Sequence, residues 1–109
     1  MNDLDVAWAA GFFEGEGSCH IAVCNPTPYF RLSIDQVYRE PLDKMVTIFG
    51  GKVYGPYGPY GKSKSKPIHQ WVISGDTAKT AALTMLPLLM HKGDQVREVM
   101  ERHYGTNGS

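Results

Sequence analysis

The sequence AAGFFEGEGS, residues 9–18, runs from small and aromatic residues into two glutamates that alternate with glycines. Apolar and small residues recur upstream of it at helical spacing, which predicts a helix that enters this stretch. Glycine adopts left-handed conformations at little cost, so Gly15 and Gly17 are predicted to break the helix. Glu16 then lies on the exit turn. There its carboxylate and the free carbonyl groups of the helix end form a spot suited to a divalent cation.

The same helix carries a strip of small residues that leaves one side of it flat: Ala7, Ala10 and Gly11. Its first turn is predicted to be capped by Asn2 or Asp3, whose side chains accept backbone N–H bonds. Small side chains let two helix backbones approach closely, as they do in small-residue helix pairs. We therefore expect a second helix to pack on this strip, with Glu14 beside it as a structural or interface acid.

Length and composition indicate one domain over residues 1–109, with 105–109 as a frayed tail. Basic and acidic side chains are equal in number, so net charge by itself indicates no partner. An acidic N-terminus argues against a signal peptide, and no segment is long enough to cross a bilayer. Cys19 and Cys24 fall at odd separation on one predicted strand, which argues against a disulfide. We expect reduced thiols and an intracellular protein, cytoplasmic or organellar.

Basic charge is concentrated in one glycine-rich segment. Four lysines and no acid occur between Lys52 and Lys66. Such an arm suits local contact with a polyanion. From charge alone, a solvated loop kept soluble by lysine is the alternative interpretation.

Alternation and turn signals predict an α+β chain in the order αββαββα(α). Apolar and polar residues alternate in four segments, which predicts two hairpins that each leave one face wet. Pro41 and Gly50-Gly51 mark the start and end of the second helix. The predicted strands are 18–23, 29–37, 52–57 and 67–74, and the later helices are 40–49, 76–89 and 93–104. This order gives a twisted, antiparallel, four-stranded saddle with helices on one face, and such a saddle suits the major groove of DNA.

Residues 9–17 resemble the LAGLIDADG motif of homing endonucleases, in the variant with two glutamates followed by serine. Further segments are similar to that family in the same order, from about Asp5 to about Arg102: LSIDQ at 32–36, LDKM at 42–45, GGKV at 50–53, and PLL at 87–89 with Lys92 and Gln95. Two departures are Met90-His91, where the family often has a basic residue, and GPYGPYG at 55–61, which lacks the charged base readers expected on the third strand. A second copy of the motif does not appear, so the resemblance is to the single-motif, homodimeric type.

This resemblance implies a site-specific endonuclease that hydrolyses double-stranded DNA at a long, near-palindromic target as a homodimer. It implies catalytic roles for Glu16, Gln36 and Lys92, with the Glu16 carboxylate and the Gly15 carbonyl as metal ligands. The implied cofactor is Mg²⁺, with Mn²⁺ as a substitute and Ca²⁺ binding without cleavage. Two-fold symmetry would pair the motif helices of two protomers. The interface residues are then Ala7, Ala10, Gly11 and Glu14.

The wet face of the saddle is expected to bind DNA. The predicted base readers are His20, Ala22, Cys24, Tyr29, Arg31, Ser33, Asp35, Tyr54, Gln70 and Val72. The predicted phosphate contacts are Lys62, Lys64 and Lys66. No membrane or small-molecule partner is expected.

Three other functions stay open at this point. They are an RNA maturase that assists intron splicing, a DNA-binding regulator that does not cleave, and a small dimeric structural protein. The presence of Glu16, Gln36 and Lys92 favours cleavage over the last two, and intron RNA stays open as a further partner.

Overall fold

The computed structural model describes residues 2–23, 27–58 and 66–105. Their order of elements is α1 (Asp3–Glu16), β1 (Gly17–Ala22), β2 (Tyr29–Gln36), α2 (Glu40–Phe49), β3 (Lys52–Tyr57), β4 (Ile68–Ser74), α3 (Gly75–Met85) and α4 (Gly93–Tyr104), with a 3-10 turn at Leu86–Leu88. This order confirms the predicted α+β pattern. Most of the predicted tail, 106–109, lies outside the described residues. None of the helices in the described ranges is long and apolar enough to span a lipid bilayer.

The four strands form one antiparallel sheet in the order β1-β2-β4-β3. Each predicted hairpin is present, and the two are joined side by side through β2 and β4. The register pairs Gly17 with Ile34 and Leu32 with Ile73. Because side chains alternate along a strand, this register places the apolar positions of neighbouring strands on the same face of the sheet.

The helices cover that apolar face and build the core with it. The sheet contributes buried residues at alternate positions, namely Cys19, Phe30, Leu32, Ile34, Trp71 and Ile73. The helices contribute Ala9, Ala10, Phe13, Leu42, Met45, Met85 and Val96, among others. Burying one large apolar side chain stabilises the fold by about 1.5–3 kcal/mol, so this single layer supplies most of the driving force. The sheet is thereby left with one packed face and one face towards solvent.

The turn from α2 into β3 depends on glycine and on the indole of Trp71. Gly50 and Gly51 have φ angles of 92° and 88°, a region that favours glycine. A Cβ on Gly51 would lie 2.5 Å from the carbonyl oxygen of Val72. The Nε1–H of Trp71 donates to the carbonyl oxygen of Gly50 at 2.9 Å, which ties β4 to this turn. The predicted helix stop at Gly50-Gly51 is confirmed.

The predicted left-handed exit of α1 is wrong. α1 continues through Gly15 to Glu16, and neither Gly15 nor Gly17 has a positive φ. Gly17 is already extended, with φ −83° and ψ 161°, while its N–H donates to the carbonyl oxygen of Phe13. A Cβ on Gly17 would overlap the Phe13 ring, so close packing explains this glycine better than backbone freedom does.

Several other boundaries also differ from the predicted ones, as at the ends of β1 and α3 and at the start of β4. Val23 is 93% exposed and lies beyond β1, because the pairing with β2 ends at Ala22. β4 begins at Ile68, since Pro67 has no N–H to donate to a ladder. α3 ends at Met85 and passes into the 3-10 turn, where Pro87 has no N–H to continue the α-helical hydrogen bonds.

Candidate active site and nucleic-acid interface

The junction of α1 and β1 presents the Glu16 carboxylate to solvent. Glu16 is the last residue of α1 and is exposed, whereas Phe13 and Gly17 on either side are buried. The last carbonyl groups of a helix have no partner within the helix, and they carry the negative end of its dipole. Glu16 therefore stands beside backbone oxygens, among them the carbonyl of Gly15. This arrangement of hard oxygen ligands has the chemistry that a small divalent cation accepts.

Glu14 is engaged inside the same chain. Its Oε1 accepts the backbone N–H of Met90 at 3.1 Å and of Lys92 at 3.2 Å, and its Oε2 accepts that of His91 at 2.7 Å. Partial removal from water opposes ionisation of Glu14, but these N–H groups outweigh it, so the pKa of Glu14 lies below its ordinary value. These contacts support the structural interpretation of Glu14 over the interface one.

Lys92 is brought to the same junction from the other end of the sequence. It stands immediately ahead of α4, and its Nζ donates to the carbonyl oxygen of Gly17 at 2.6 Å. The ammonium also lies 5.8 Å from the centroid of the Phe13 ring. Gly17 directly follows Glu16, so the predicted lysine contacts the residue next to the predicted metal ligand.

Gln36 ends β2 at the same end of the sheet. The register pairs Gly17 with Ile34, so Gln36 lies two residues further towards the edge at which α1 meets β1. Its Oε1 accepts the backbone N–H of Val37 at 2.9 Å, which leaves its amide NH₂ available as a donor. His69, its partner on β4, makes a 3.2 Å contact between Nδ1 and the carbonyl oxygen of Val37.

A single protomer does not hold a closed metal cage in the described part of the chain. No three side chains among its histidines, cysteines and acids are close enough together to bind one ion. Burial raises the pKa of the Cys19 thiol to about 12, so this cysteine behaves as a core residue.

The solvent face of the sheet forms a shallow depression of about 330 Å³. Five of its lining residues are predicted base readers, and two are not: Tyr29, Arg31, Tyr54, Gln70 and Val72, with Tyr57 and Ser74. Tyr54 is 44% exposed and Tyr57 is 39% exposed. Aromatic side chains are thus available on the third strand, next to a sequence at 55–61 that has no charged residue. His20 and Asp35 are exposed on the same sheet, and Ala22 is half-buried at its end. Extending the alternation of Gln70 and Val72 along β4 would have found Ser74. Tyr57 is three residues from Tyr54 and reaches the same face through an irregularity in the pairing of β3 with β4, which alternation does not predict.

Arg31 lines this depression. It forms no ion pair with any residue in the described ranges, and its terminal Nη2 donates to Oε1 of Gln70 at a long 3.4 Å. Its Nε is buried and has no hydrogen-bond partner among the described residues. His20 is its cross-strand neighbour. Removal from water and the Arg31 charge both lower the pKa of His20, which favours its neutral form.

Comparisons with known proteins find similarity at the level of the fold. No family model matches the chain, and no curated protein matches it either. Among solved structures, the homing endonuclease I-CvuI in complex with the I-CreI target and Mg matches at a TM-score of 0.69 and 21% identity, covering 90% of this chain and 64% of that one. The archaeal intron-encoded homing endonuclease I-Vdi141I, complexed with DNA, matches at 0.69 and 18%, covering 91% and 66%. The LAGLIDADG meganuclease I-AabMI, bound to uncleaved DNA, matches at 0.68 and 19%, covering 95% and 36%.

The chain has the LAGLIDADG homing endonuclease fold. It spans less than two thirds of the length of I-CvuI and I-Vdi141I and about a third of that of I-AabMI. The α1–β1 junction lies at the end of residues 9–17, which resemble the LAGLIDADG motif, and the solvent face of the sheet is the face predicted to form a saddle.

Several predicted residues of the saddle need correction or lie outside the described ranges. Ser33 is 5% exposed, so it is buried and not available as a base reader. In the register of β2 and β4, Arg31 and Gln70 lie on opposite sides of the Ser33–Val72 pair. The hydrogen bond from Arg31 to Gln70 therefore crosses that pair. Lys66 is exposed and has its Nζ 5.9 Å from the centroid of the Tyr38 ring. Cys24, Lys62 and Lys64 lie outside the described residues.

The LAGLIDADG helix α1 keeps an exposed side of small and apolar residues. Leu4 is 82% exposed, and Ala7, Gly11 and Gly15 are exposed along the same side. A Cβ at Gly11 or at Gly15 would meet no atom of residues 2–23, 27–58 and 66–105 within 4 Å. Ala10 is 1% exposed and packs in the core of its own protomer, which corrects its place in the predicted strip.

Proposed function

We propose that this protein is a site-specific endonuclease that cleaves both strands of double-stranded DNA as a homodimer, with a divalent metal ion. The observation that carries the proposal is the contact of Lys92 with the carbonyl oxygen of Gly17, the residue that follows the exposed Glu16 at the end of the saddle. The two residues in contact are 75 positions apart in sequence. An acid that can hold a metal ion, a lysine that can offset phosphate charge and a concave face that can bind DNA are together suited to phosphodiester hydrolysis.

The exposed side of α1 supports a homodimer. A glycine inside a helix costs about 1 kcal/mol relative to alanine. Nothing in the described part of the protomer contacts the Cβ positions of Gly11 and Gly15, so packing among those residues does not explain the two glycines. Close approach of a second α1 would explain them, because glycine lets two helix backbones come nearly into contact. A two-fold axis through this contact brings two Glu16 carboxylates together, one for each DNA strand.

The residues present fit a divalent cation of the magnesium type. Mg²⁺ keeps several of its waters and is often bound by one or two carboxylates, so the absence of a closed cage in the described residues is compatible with it. Glu16 and the Gly15 carbonyl would hold the ion. When bound, it would acidify a water molecule and neutralise charge on the phosphate. We expect Mn²⁺ to substitute for Mg²⁺ and Ca²⁺ to bind without supporting cleavage.

The chain's own residues have separate tasks in this mechanism. The free amide NH₂ of Gln36 orients a water molecule at the edge of the sheet. The ammonium of Lys92, held at the Gly17 carbonyl, offsets charge that develops on the phosphate oxygens. The saddle binds the duplex and excludes water from the junction.

Arg31 is expected to read a guanine. Arginine pairs bidentately with the O6 and N7 atoms of guanine, and Arg31 lacks a carboxylate partner among the described residues. Arg31→Ala should relax one symmetric pair of base positions at a cost of about 1–3 kcal/mol per contact. Selection of bound duplexes from a randomised palindromic library would measure this. Arg39→Ala is a matched control, because Arg39 pairs with Asp43 on α2 at 3.3 Å. Uniform weakening with unchanged base preferences would place Arg31 on a phosphate instead.

The lysine arm is expected to bind phosphates without reading bases. Replacing Lys62, Lys64 and Lys66 together by alanine should flatten the log–log salt dependence of binding by about one unit for each phosphate that is no longer neutralised. The preferred sequence should stay the same. Lys79→Ala is the control, because the Lys79 ammonium lies over the Tyr104 ring at 4.5 Å on the helical side. A shifted sequence preference at constant slope would contradict this role.

The proposed function is tested by selecting cleaved sites from a randomised palindromic DNA library in Mg²⁺ and selecting bound sites in Ca²⁺. The proposal expects one family of two-fold symmetric sites in both selections. Recovery of bound sites without cleavage would favour a DNA-binding regulator. Binding of intron RNA without DNA cleavage would favour a maturase.

A further inference from the structure

The two glutamates of the motif are used differently in the folded chain. Glu16 is exposed, while the carboxylate of Glu14 accepts backbone N–H groups from three successive residues ahead of α4. The partners are 76 to 78 residues away in sequence. A carboxylate at the positive end of a helix, surrounded by successive N–H donors, is in a favourable environment for a negative charge. Glu14 thus fastens the start of α4 to the end of α1.

Lys92 is held at two points that flank Glu16. Its backbone N–H donates to both oxygens of Glu14, each at 3.2 Å, and its Nζ donates to the carbonyl oxygen of Gly17 at 2.6 Å. Glu14 stands two residues before Glu16 and Gly17 one residue after it. The backbone contact fixes where the lysine side chain starts, and the carbonyl contact fixes where it ends. Lysine has a long, flexible side chain, so fixing both ends selects one of its many conformations.

We propose that Glu14 is a positioning residue for Lys92, which holds the lysine ammonium at the Gly17 carbonyl, one residue after Glu16, before DNA binds. The inference rests on the proposed endonuclease function, in which Lys92 acts at the phosphate. In the proposed mechanism, Glu14 itself touches neither the phosphate nor the metal ion. In a preorganised site, a small displacement of a group that stabilises charge lowers the cleavage rate steeply. Glu14 lies outside the site but sets the position of Lys92, so its contacts govern the cleavage rate through the lysine.

A double-mutant cycle separates this role from a merely structural one. The variants are Glu14→Gln, Lys92→Met and the two combined, compared by single-turnover cleavage of the recovered duplex at saturating protein. Glutamine keeps the length of the side chain but replaces one acceptor oxygen by an NH₂ group that opposes the N–H donors. We expect Glu14→Gln alone to slow cleavage by about 10- to 100-fold. In the Lys92→Met background the same change should alter the rate by less than about twofold, because the group that Glu14 positions is already gone.

Three further measurements make the cycle decisive. Duplex affinity in Ca²⁺ should be the same for the parent and Glu14→Gln, so that the loss lies in the rate constant and not in binding. Glu98→Gln is the matched control, because Glu98 pairs only with Arg102 at 2.7 Å on the surface of α4 among the described residues, and it should cleave like the parent. Glu14→Asp keeps the charge and should recover part of the rate; it replaces Glu14→Gln in the cycle if that variant fails to fold.

The outcomes distinguish the two proposals. Equal fold losses in both backgrounds, or an unchanged rate in Glu14→Gln, would overturn the positioning role while the endonuclease function stands. A parent protein that cleaves no recovered site would overturn the endonuclease function and the positioning role with it.

Discussion

Glu16→Gln should reduce DNA cleavage by at least about 10³-fold while DNA binding in calcium-free buffer changes little. Glutamine keeps the shape of the side chain and removes the charge that holds the cation. Glu16 is exposed and near the phosphates in the proposed complex, where a carboxylate repels DNA and does not anchor it. Nicking and binding are to be measured side by side on one recovered duplex.

Glu14→Gln is the matched comparison, because the two acids are two residues apart on the same helix end. It should be milder than Glu16→Gln, since the Glu14 oxygens are engaged with backbone N–H groups. The cleavage rate of Lys92→Met should also lie between those of the parent and Glu16→Gln, because this change slows hydrolysis while the metal ion still binds. If Glu16→Gln cleaves as fast as the parent and Glu14→Gln is inactive, the assignment of the two acids is reversed.

Gly11→Leu should convert a dimer into a folded monomer and abolish cleavage of both strands. A Cβ at Gly11 meets no atom within 4 Å, so the protomer accommodates a side chain there. Leucine also favours the helical conformation over glycine by close to 1 kcal/mol, which stabilises α1 itself. A leucine pressed between two helices would instead force their backbones apart. Sedimentation equilibrium without DNA measures the mass, and circular dichroism checks that the fold persists.

Glu101→Leu is the control for this change, because it also adds a leucine to an exposed helical position, on α4. It should leave the dimer intact. Gly11→Ala should weaken the dimer less than Gly11→Leu, since a methyl group separates the helices less. A Gly11→Leu protein that sediments as the parent does would place the interface on another surface.

The sheet was predictable from sequence because its pattern is local. Phe30, Leu32 and Ile34 alternate with polar residues, and each is at most 1% exposed in the folded chain. Pro41 and Gly50-Gly51 bounded α2 at its observed residues, because proline and glycine impose their conformations on the chain directly.

The packing of single residues was less predictable, because it depends on distant partners. Alternation places Ser33 on the solvent face, but the Arg31–Gln70 contact passes over its register position. Helical spacing placed Ala10 on an open strip, although the core takes this residue. The sequence around Gly17 indicates a left-handed backbone break, whereas in the fold it is the closeness of the Phe13 ring that requires a glycine.

The candidate site likewise combines residues that the sequence predicts with contacts that depend on distant partners. Glu16 and Lys92 were named from a motif and from ordered resemblance, and the fold brings Lys92 to the residue after Glu16. The contacts of Glu14 with Met90, His91 and Lys92 join residues at least 76 positions apart through backbone N–H groups. Every residue except proline has a backbone N–H group, so no pattern of side chains in the sequence predicts these contacts.

Cleavage of a plasmid that carries the recovered site tests the central claim most directly. The parent protein in Mg²⁺ should convert supercoiled plasmid to the linear form by cutting both strands at that site, and Glu16→Gln should leave the plasmid supercoiled while still bound to it. A parent protein that binds the site but leaves the plasmid supercoiled in Mg²⁺ and in Mn²⁺ would contradict the endonuclease function.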